Sequence, residues 1–320
     1  MKKLSYILAL FILSACEKEP LPEGIDFKEE MRNFVIGISQ WAKSKHPNFA
    51  VVPQNGIELL TINGEENQPL HERYVNAIDA QAQEDLFFGY RKDNQASPED
   101  EIDYKLTFLD ALKATGKQVL VTDYCWSTGN IEQSNQKNAQ HNFVSFPAPE
   151  RELNAIPEGK PQNENSGDIN SLAQAKNFLY LINPGSFESP EKMIPDLSKT
   201  NYDLLILDLF DQNNVELKKE WIDQLKVKAN GGKRFLLCYM SIGEAEDYRY
   251  YWQADWSKNP KSWIERENPD WKGNFKVRYW EAEWQNIIYG TADSYLQKIM
   301  DVGFDGVYLD IIDAFEYFEK

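Results

Sequence analysis

The sequence predicts an α/β fold in which parallel strands and helices alternate around a (β/α)8 TIM barrel, and three observations carry that expectation. The first is a repeated position for carboxylates. GFDGVYLDIID (residues 303–313) places Asp310 directly after the apolar Val307, Tyr308 and Leu309, and Asp208, Asp123 and Glu244 close the runs YDLLILD, VLVTD and RFLLCYMSIGE. A charge at the end of a buried strand is costly unless it has a partner or a task, and four in the same place describe an active-site rim at the strands' carboxyl ends. The second is alternation of strand-like and helix-like segments from residue 178 onward. The third is a mismatch at the ends: the fold opens on a helix, residues 27–45, with no strand before it, and closes on a strand, residues 307–309, with no crossover helix after it. Joined in space, those two pieces make one βα unit, so the expected barrel is circularly permuted. An open doubly wound sheet is the structural alternative.

Taken in order, residues 1–16 (MKKLSYILALFILSAC) are a basic head, an apolar run and small residues before Cys16, which resembles a bacterial lipoprotein signal with Leu13 to Cys16 as its processing site. The expectation is a lipid on Cys16 and a protein anchored in the cell envelope, at the outer membrane, by that lipid alone. An ordinary secretory signal is the other reading. Residues 17–26 form a tether rich in Pro, Glu and Gly, and residues 27–320 a single domain, within the span of about 250 residues that such barrels commonly use.

Helix 27–45 follows from Phe27, Met31, Phe34, Val35, Ile38 and Ala42 at three- and four-residue spacing. Nine strands are expected, at residues 49–53, 80–83, 117–124, 143–146, 178–182, 204–209, 235–240, 276–280 and 307–309. An eight-stranded ring has no place for one of them, and the short segment 143–146 is expected to lie outside it. Helices are expected at residues 103–115, 215–229 and 286–300. Residues 157–169 (PEGKPQNENSGDI) read as a linker inside the domain.

A formal net charge of −17 excludes a nucleic-acid groove and charge-driven adhesion to anionic lipid. With Cys16 set aside, Cys125, Cys238 and three histidines supply neither a disulfide framework nor metal-ligand spacing, so no metal and no cofactor is expected. Aromatic residues make up 13% of the chain, which suits stacking on sugar rings as well as it suits a large core.

The motifs VVPQNG (residues 51–56), MSIGEAEDYRYYW (240–252), ENPDWKGNFKVRYWEAEWQNII (267–288) and GFDGVYLDIIDAFEYF (303–318) resemble glycoside hydrolase family 114, TIM-barrel proteins whose characterised activity is endo-α-1,4-polygalactosaminidase. In that family the PQNG half follows the YLDIID half, whereas here it precedes it, in keeping with the permutation. The resemblance implies that Asp310 is one catalytic carboxyl and Glu84 the second, with Asp85 and Asp79 as alternatives to Glu84. Two carboxyls meet the needs of glycoside hydrolysis, one protonating the leaving oxygen and one acting as nucleophile or base.

Asp208, Glu244, Asp123, Tyr124, Gln54 and Asn55 are expected to line the same mouth and hold substrate, with Asp313 as a neighbour of Asp310; Asn55 equally suits a turn before Gly56. Tyr251, Trp252, Trp280 and Trp284 are candidate sugar platforms or packing residues, and Arg249 is expected to pair with Asp247 or Glu246. The implied function is cleavage of a polysaccharide or oligosaccharide, with an α-1,4-linked galactosamine polymer as the leading substrate. A lipoprotein that binds carbohydrate without turnover and a structural or partner-binding barrel are the alternatives.

Overall fold

The computed structural model describes residues 20–319. The expected signal and lipid site at Cys16 lie outside the described residues, and the remainder of the tether runs without helix or strand to Asp26. Asp26 caps the helix Phe27–Lys45, its side chain accepting from the Glu29 amide at 2.9 Å, while Glu29 and Glu30 in the first turn and Lys43 and Lys45 in the last complement the helix dipole. The predicted apolar face is the buried one, and Arg32 on the same helix is buried because its guanidinium donates to the carbonyls of Leu59 and Thr61.

Eleven strands follow among the described residues: β1 (Ala50–Pro53), β2 (Ala80–Glu84), β3 (Gln118–Tyr124), β4 (Val144–Ala148), β5 (Phe178–Leu181), β6 (Leu204–Leu207), β7 (Phe235–Ser241), β8 (Glu244–Glu246), β9 (Ile264–Glu267), β10 (Asn274–Val277) and β11 (Gly306–Asp310). Two parallel sheets carry the core, one in the order β1-β11-β7-β6-β5 and one in the order β2-β3-β4. The strands of the five-stranded sheet are apolar and buried along nearly their whole length, whereas β2 and β3 carry buried Gln81, Gln83, Thr122 and Asp123 and β4 buries alternate residues. The sheets adjoin at two seams. At one, Gln54 bridges in parallel to Ala82; at the other, Phe146 of β4 and Phe178 of β5 bring their rings to 5.4 Å. This mixed fold is consistent with a TIM-barrel-like arrangement.

The strands from opposite ends of the chain are neighbours, β1 running parallel to β11 with Val51 opposite Val307 and Pro53 opposite Leu309. After β11 the chain makes a 3-10 turn, Ile312–Ala314, and the short helix Phe315–Phe318, which lands on the start of helix Phe27–Lys45. Phe318 stacks on Phe27 at 5.4 Å, and Lys28 pairs with Glu319.

Two strand expectations are corrected. The 143–146 segment does not lie outside: β4 pairs in parallel with β3 from Leu120–Val144 to Tyr124–Ala148. The segment that stays out is 276–280. Its ordered part, β10, forms an antiparallel sheet with β8 and β9, and the extra strands therefore number three. The physical reason is visible in NFKV: this strand buries only Val277 fully, and a strand in the middle of a parallel sheet is covered on both faces. The helix expected at 286–300 is two helices, Ala282–Ile288 and Tyr295–Val302, parted at Gly290 with φ +92°.

Candidate active site

The ends of the parallel strands deliver the chemistry to one cleft of about 640 Å³. Glu84 is the last residue of β2, Asp310 the last of β11 and Tyr124 the last of β3, while Gln54 and Asp208 directly follow β1 and β6. The residues after Gln54, Glu84 and Asp310 turn the backbone away through the left-handed region: Asn55 at φ +60°, Asp85 at +55° and Ile311 at +58°. For β-branched Ile311 this is an unfavourable conformation, and strain of this kind gathers where a side chain must be aimed.

Gln54 joins the two expected catalytic carboxyls. Its amide nitrogen donates to Glu84 Oε2 at 3.0 Å and to Asp310 Oδ1 at 2.9 Å, and its oxygen accepts from the buried Tyr308 hydroxyl at 2.5 Å. Glu84 also accepts from Asn55 Nδ2 at 3.1 Å and from the Tyr124 hydroxyl. Asp310 accepts from the Ile311 amide at 2.8 Å and the Tyr239 hydroxyl at 2.8 Å.

These environments separate the two acids. Burial, then the negative charge of Asp310, pushes Glu84 up to about 7. Burial also raises Asp310, but donors from Tyr239, the Ile311 amide and Gln54 oppose the rise by stabilising its charged form. Asp313, on the turn beyond Asp310, is pushed up to about 7 by burial and by Asp310.

Of the remaining expected residues, Gln54, Asn55, Tyr124, Asp208, Glu244 and Asp313 line this cleft. Asn55 satisfies both readings offered for it, taking a positive φ and reaching Glu84. Asp208 and Glu244 are already spoken for. Asp208 receives two guanidinium bonds from Arg249, at 2.7 and 2.6 Å, and Glu244 is wholly buried against Asn268, Asn274 and Lys276. Arg249 thus pairs with Glu246, as expected, and with Asp208, while Asp247 is not its partner.

Asp123 is not a substrate contact. It is wholly buried and accepts from the amides of Phe87 and Phe88 and from Ser134 and Asn138, so it fixes the turn after β2 to the helix Thr128–Gln140. The candidate platforms take the packing alternative: Trp284 lies in the core, Tyr251, Trp252 and Trp280 pack partly buried against it, and none of the four lines the cleft. Trp284 is wholly buried with its indole donating to the Ile242 carbonyl, Tyr251 packs edge-on against it, and Trp252 stacks on Phe275. Trp280 packs between Phe27 and Phe318, away from the cleft.

Sequence reasoning missed Tyr239, Tyr308, Arg151 and Trp271. The first two had a signal. Tyr308 stands two residues before Asp310 and so shares its face, and a hydroxyl inside an apolar strand needs a partner. Tyr239 lies opposite Tyr308 in the β7–β11 register. Arg151, from the polar stretch after β4, pairs with Asp85 and Asp93 and lies 3.9 Å over the Tyr124 ring, a contact no local pattern announces.

Comparison with known proteins decides the family. The profile of glycoside-hydrolase family GH114 matches residues 160–320. The chain belongs to glycoside-hydrolase family GH114. Among curated relatives, an uncharacterized protein of Methanocaldococcus jannaschii is 36% identical over 156 residues, 49% of this chain and 43% of the relative. One of Thermotoga maritima is 36% identical over 125 residues, 39% of this chain and 37% of the relative. One of Deinococcus radiodurans is 40% identical over 115 residues, covering 36% and 34% respectively. The chain thus spans less than half the length of the curated relatives it matches. A solved structure, Aspergillus fumigatus Ega3 in complex with galactosamine, is 26% identical over 36% of this chain and 39% of that one, with a TM-score of 0.28.

Proposed function

We propose that this member of GH114 hydrolyses an amino-sugar polysaccharide, with α-1,4-linked galactosamine polymer as the leading substrate, on a closed, circularly permuted (β/α)8 barrel. The observation that carries the reading is the Gln54 amide held between Glu84 and Asp310 at the carboxyl ends of parallel strands. Closure of the ring is supported by the adjoining seams at Gln54–Ala82 and Phe146–Phe178, and permutation by the β1–β11 pairing. An acidic cleft suits a cationic polymer.

Glu84, its carboxyl pushed up to about 7, acts as general acid, and Asp310, whose charged form is supported against burial by Tyr239, the Ile311 amide and Gln54, acts as nucleophile. Asp310 attacks the anomeric carbon while Glu84 gives its proton to the departing glycosidic oxygen as the C–O bond breaks. Glu84 then takes a proton from water, whose oxygen displaces Asp310 from the anomeric carbon. One oxygen of each carboxyl lies within 3.0 Å of the same Gln54 nitrogen, a close approach that favours the shorter, retaining separation of about 5–5.5 Å. The test is incubation with α-1,4-galactosamine polymer, with products read by mass and the first-formed reducing end by NMR. Shorter oligomers with an α anomer are expected; a β anomer would exclude the nucleophile role.

The pH profile follows from the same pair. Above about 7, Glu84 loses the proton it must donate, so kcat is expected to fall on the alkaline side with an apparent pKa near that value. A rate that stays level to pH 9 would remove Glu84 from the acid role.

We also propose that Cys16 carries lipid and anchors the protein to the envelope, because Leu13, Ser14 and Ala15 precede it in the order of a lipoprotein processing site. Metabolic labelling with a fatty acid should mark the protein, and Cys16→Ser should abolish the label; a labelled Cys16→Ser chain would contradict the assignment.

A further inference from the structure

The antiparallel hairpin of β9 and β10 is fixed beside the cleft by its pairing with β8 and by one buried carboxylate. Glu244 accepts from Asn268 Nδ2 at 2.8 Å and Asn274 Nδ2 at 3.3 Å and pairs with Lys276 at 2.5 Å, three residues of one hairpin. The turn is closed from within by Asn268 N donating to Asn274 O at 2.7 Å, Asn274 N to Trp271 O at 3.1 Å and Gly273 N to Glu267 Oε1 at 2.8 Å. It is seated on the next turn through the Asp247 amide, which donates to Gly273 O at 2.8 Å. A Cβ on Gly273, whose φ is +88°, would stand 2.7 Å from Asp247 Oδ1. Two four-residue strands with little buried surface hold their position here through the ladder of β10 on β8 and through a buried charge, and a turn fixed so firmly at the cleft edge is suited to placing what it carries.

The cargo is Trp271. Its side chain is 50% exposed on the cleft wall, and among the described residues it takes part in no ring stack or cation contact. Tyr248, the other strongly exposed aromatic residue lining the cleft, is committed through its hydroxyl to Glu246 at 2.7 Å. A rigid, uncovered indole in an acidic cleft has the chemistry to receive the apolar C–H face of a pyranose ring and the ammonium group of an amino sugar. The cleft volume is in the range of drug-sized ligands, room for a sugar ring besides the one at the carboxyl pair.

We propose that Trp271 is the platform of a sugar subsite flanking the cleavage point, taking one pyranose ring of an amino-sugar chain. The proposal rests on the polysaccharide reading above for the class of ligand, and its test is a binding measurement that does not need turnover. Calorimetric titration of an α-1,4-galactosamine oligomer is compared between Glu84→Gln and Glu84→Gln with Trp271→Ala. The second substitution should raise Kd roughly tenfold, and Trp271→Phe by only about threefold, because a flat apolar face remains. Trp126→Ala, which removes an indole of equal exposure outside the cleft, should leave Kd unchanged. Equal affinity with and without the Trp271 indole would overturn the platform, and so would failure of the oligomer to bind at all. A Trp271-dependent Kd in a protein whose parent never cleaves the oligomer would uphold the platform and overturn the hydrolase reading.

Discussion

Glu84→Gln is expected to lower kcat by about 10²–10⁴, the span of general-acid catalysis, and Asp310→Asn by at least as much, with both proteins folded. Gln at position 84 keeps the shape and can keep its bonds to Tyr124 and Asn55 but has no proton to give; Asn at 310 has no charge with which to attack. The Glu84 variant also carries a stability signature that separates a catalytic acid from an inert strand cap. The folded state raises the carboxyl to about 7 from 4.5, so the native protein holds the proton more tightly than the unfolded chain does. The stabilising protonated form is fully present below about pH 4.5 and lost as pH rises through about 7. Glu84→Gln mimics the protonated form at every pH. Its thermal midpoint should therefore match the parent near pH 4 and exceed it at pH 8. Loss of turnover without the gain at pH 8 would mean that Glu84 is not held neutral, and the assignment of acid and nucleophile would have to be reversed or abandoned. Asp313, pushed up to the same value, feels the Glu84 charge among the causes of its rise, so Glu84→Gln also relieves Asp313 above about pH 7 and adds to the gain at pH 8.

What the sequence disclosed about this site was position along a strand. Asp310, Asp208 and Tyr124 could be placed at one mouth because apolar runs stop at them, and strand polarity then puts their ends together. What it withheld was the state of each carboxylate once there. Asp123 ends its run as Asp310 does, yet it is wholly buried under four donors and serves the turn after β2. A strand-end Asp and a cap look alike in one dimension because both are tolerated for the same electrostatic reason, a supply of donors. The same ambiguity explains the tryptophans. Trp284 and Trp271 stand in one similar stretch of aromatic and polar residues, but one indole donates to a buried carbonyl and the other faces the cleft. Period and hydropathy cannot rank them, since the distinction lies in tertiary contacts: the Trp284 indole meets the distant Ile242 carbonyl, and the turn that carries Trp271 is held by Glu244 through Asn268, Asn274 and Lys276.

The fold was legible where the signal was local or topological. Helix Phe27–Lys45 has its cap, its charged ends and its apolar face in the sequence, and the unmatched helix and strand at the two ends predicted the neighbours β1 and β11. Segments 143–146 and 276–280 were exchanged because a short strand shows too few residues to tell a two-faced burial from a one-faced one. β4 buries alternate residues and still pairs within the parallel sheet, whereas β10 presents Lys276 to the Glu244 carboxylate and so leaves it.

The linker at residues 157–169 is where the largest stability effect is expected. Lys228 and Asp203 form an ion pair with both side chains wholly buried, 2.9 Å apart. The ammonium also donates to the carbonyls of Asn165 at 2.9 Å and Gly167 at 2.8 Å, and Asp203 accepts from the Lys176 amide and Asn165 Nδ2, each at 2.9 Å. Asp203 precedes β6 and Lys176 precedes β5, so this cluster ties the linker to the amino ends of the strands, opposite the cleft. Lys228→Met leaves Asp203 buried without its cation and is expected to cost about 3–5 kcal/mol, whereas Lys228→Met with Asp203→Leu should recover much of it because no charge is then stranded. Chemical denaturation reads both, and kcat measured where each variant is folded should match the parent, since no residue of the cluster reaches Glu84 or Asp310. Deleting residues 163–167 removes acceptors from the ammonium and should resemble Lys228→Met in the same assay. A deletion that spoils turnover while leaving the denaturation midpoint in place would mean that the linker serves the chemistry, and that the amino ends of these strands are not the silent side of the fold.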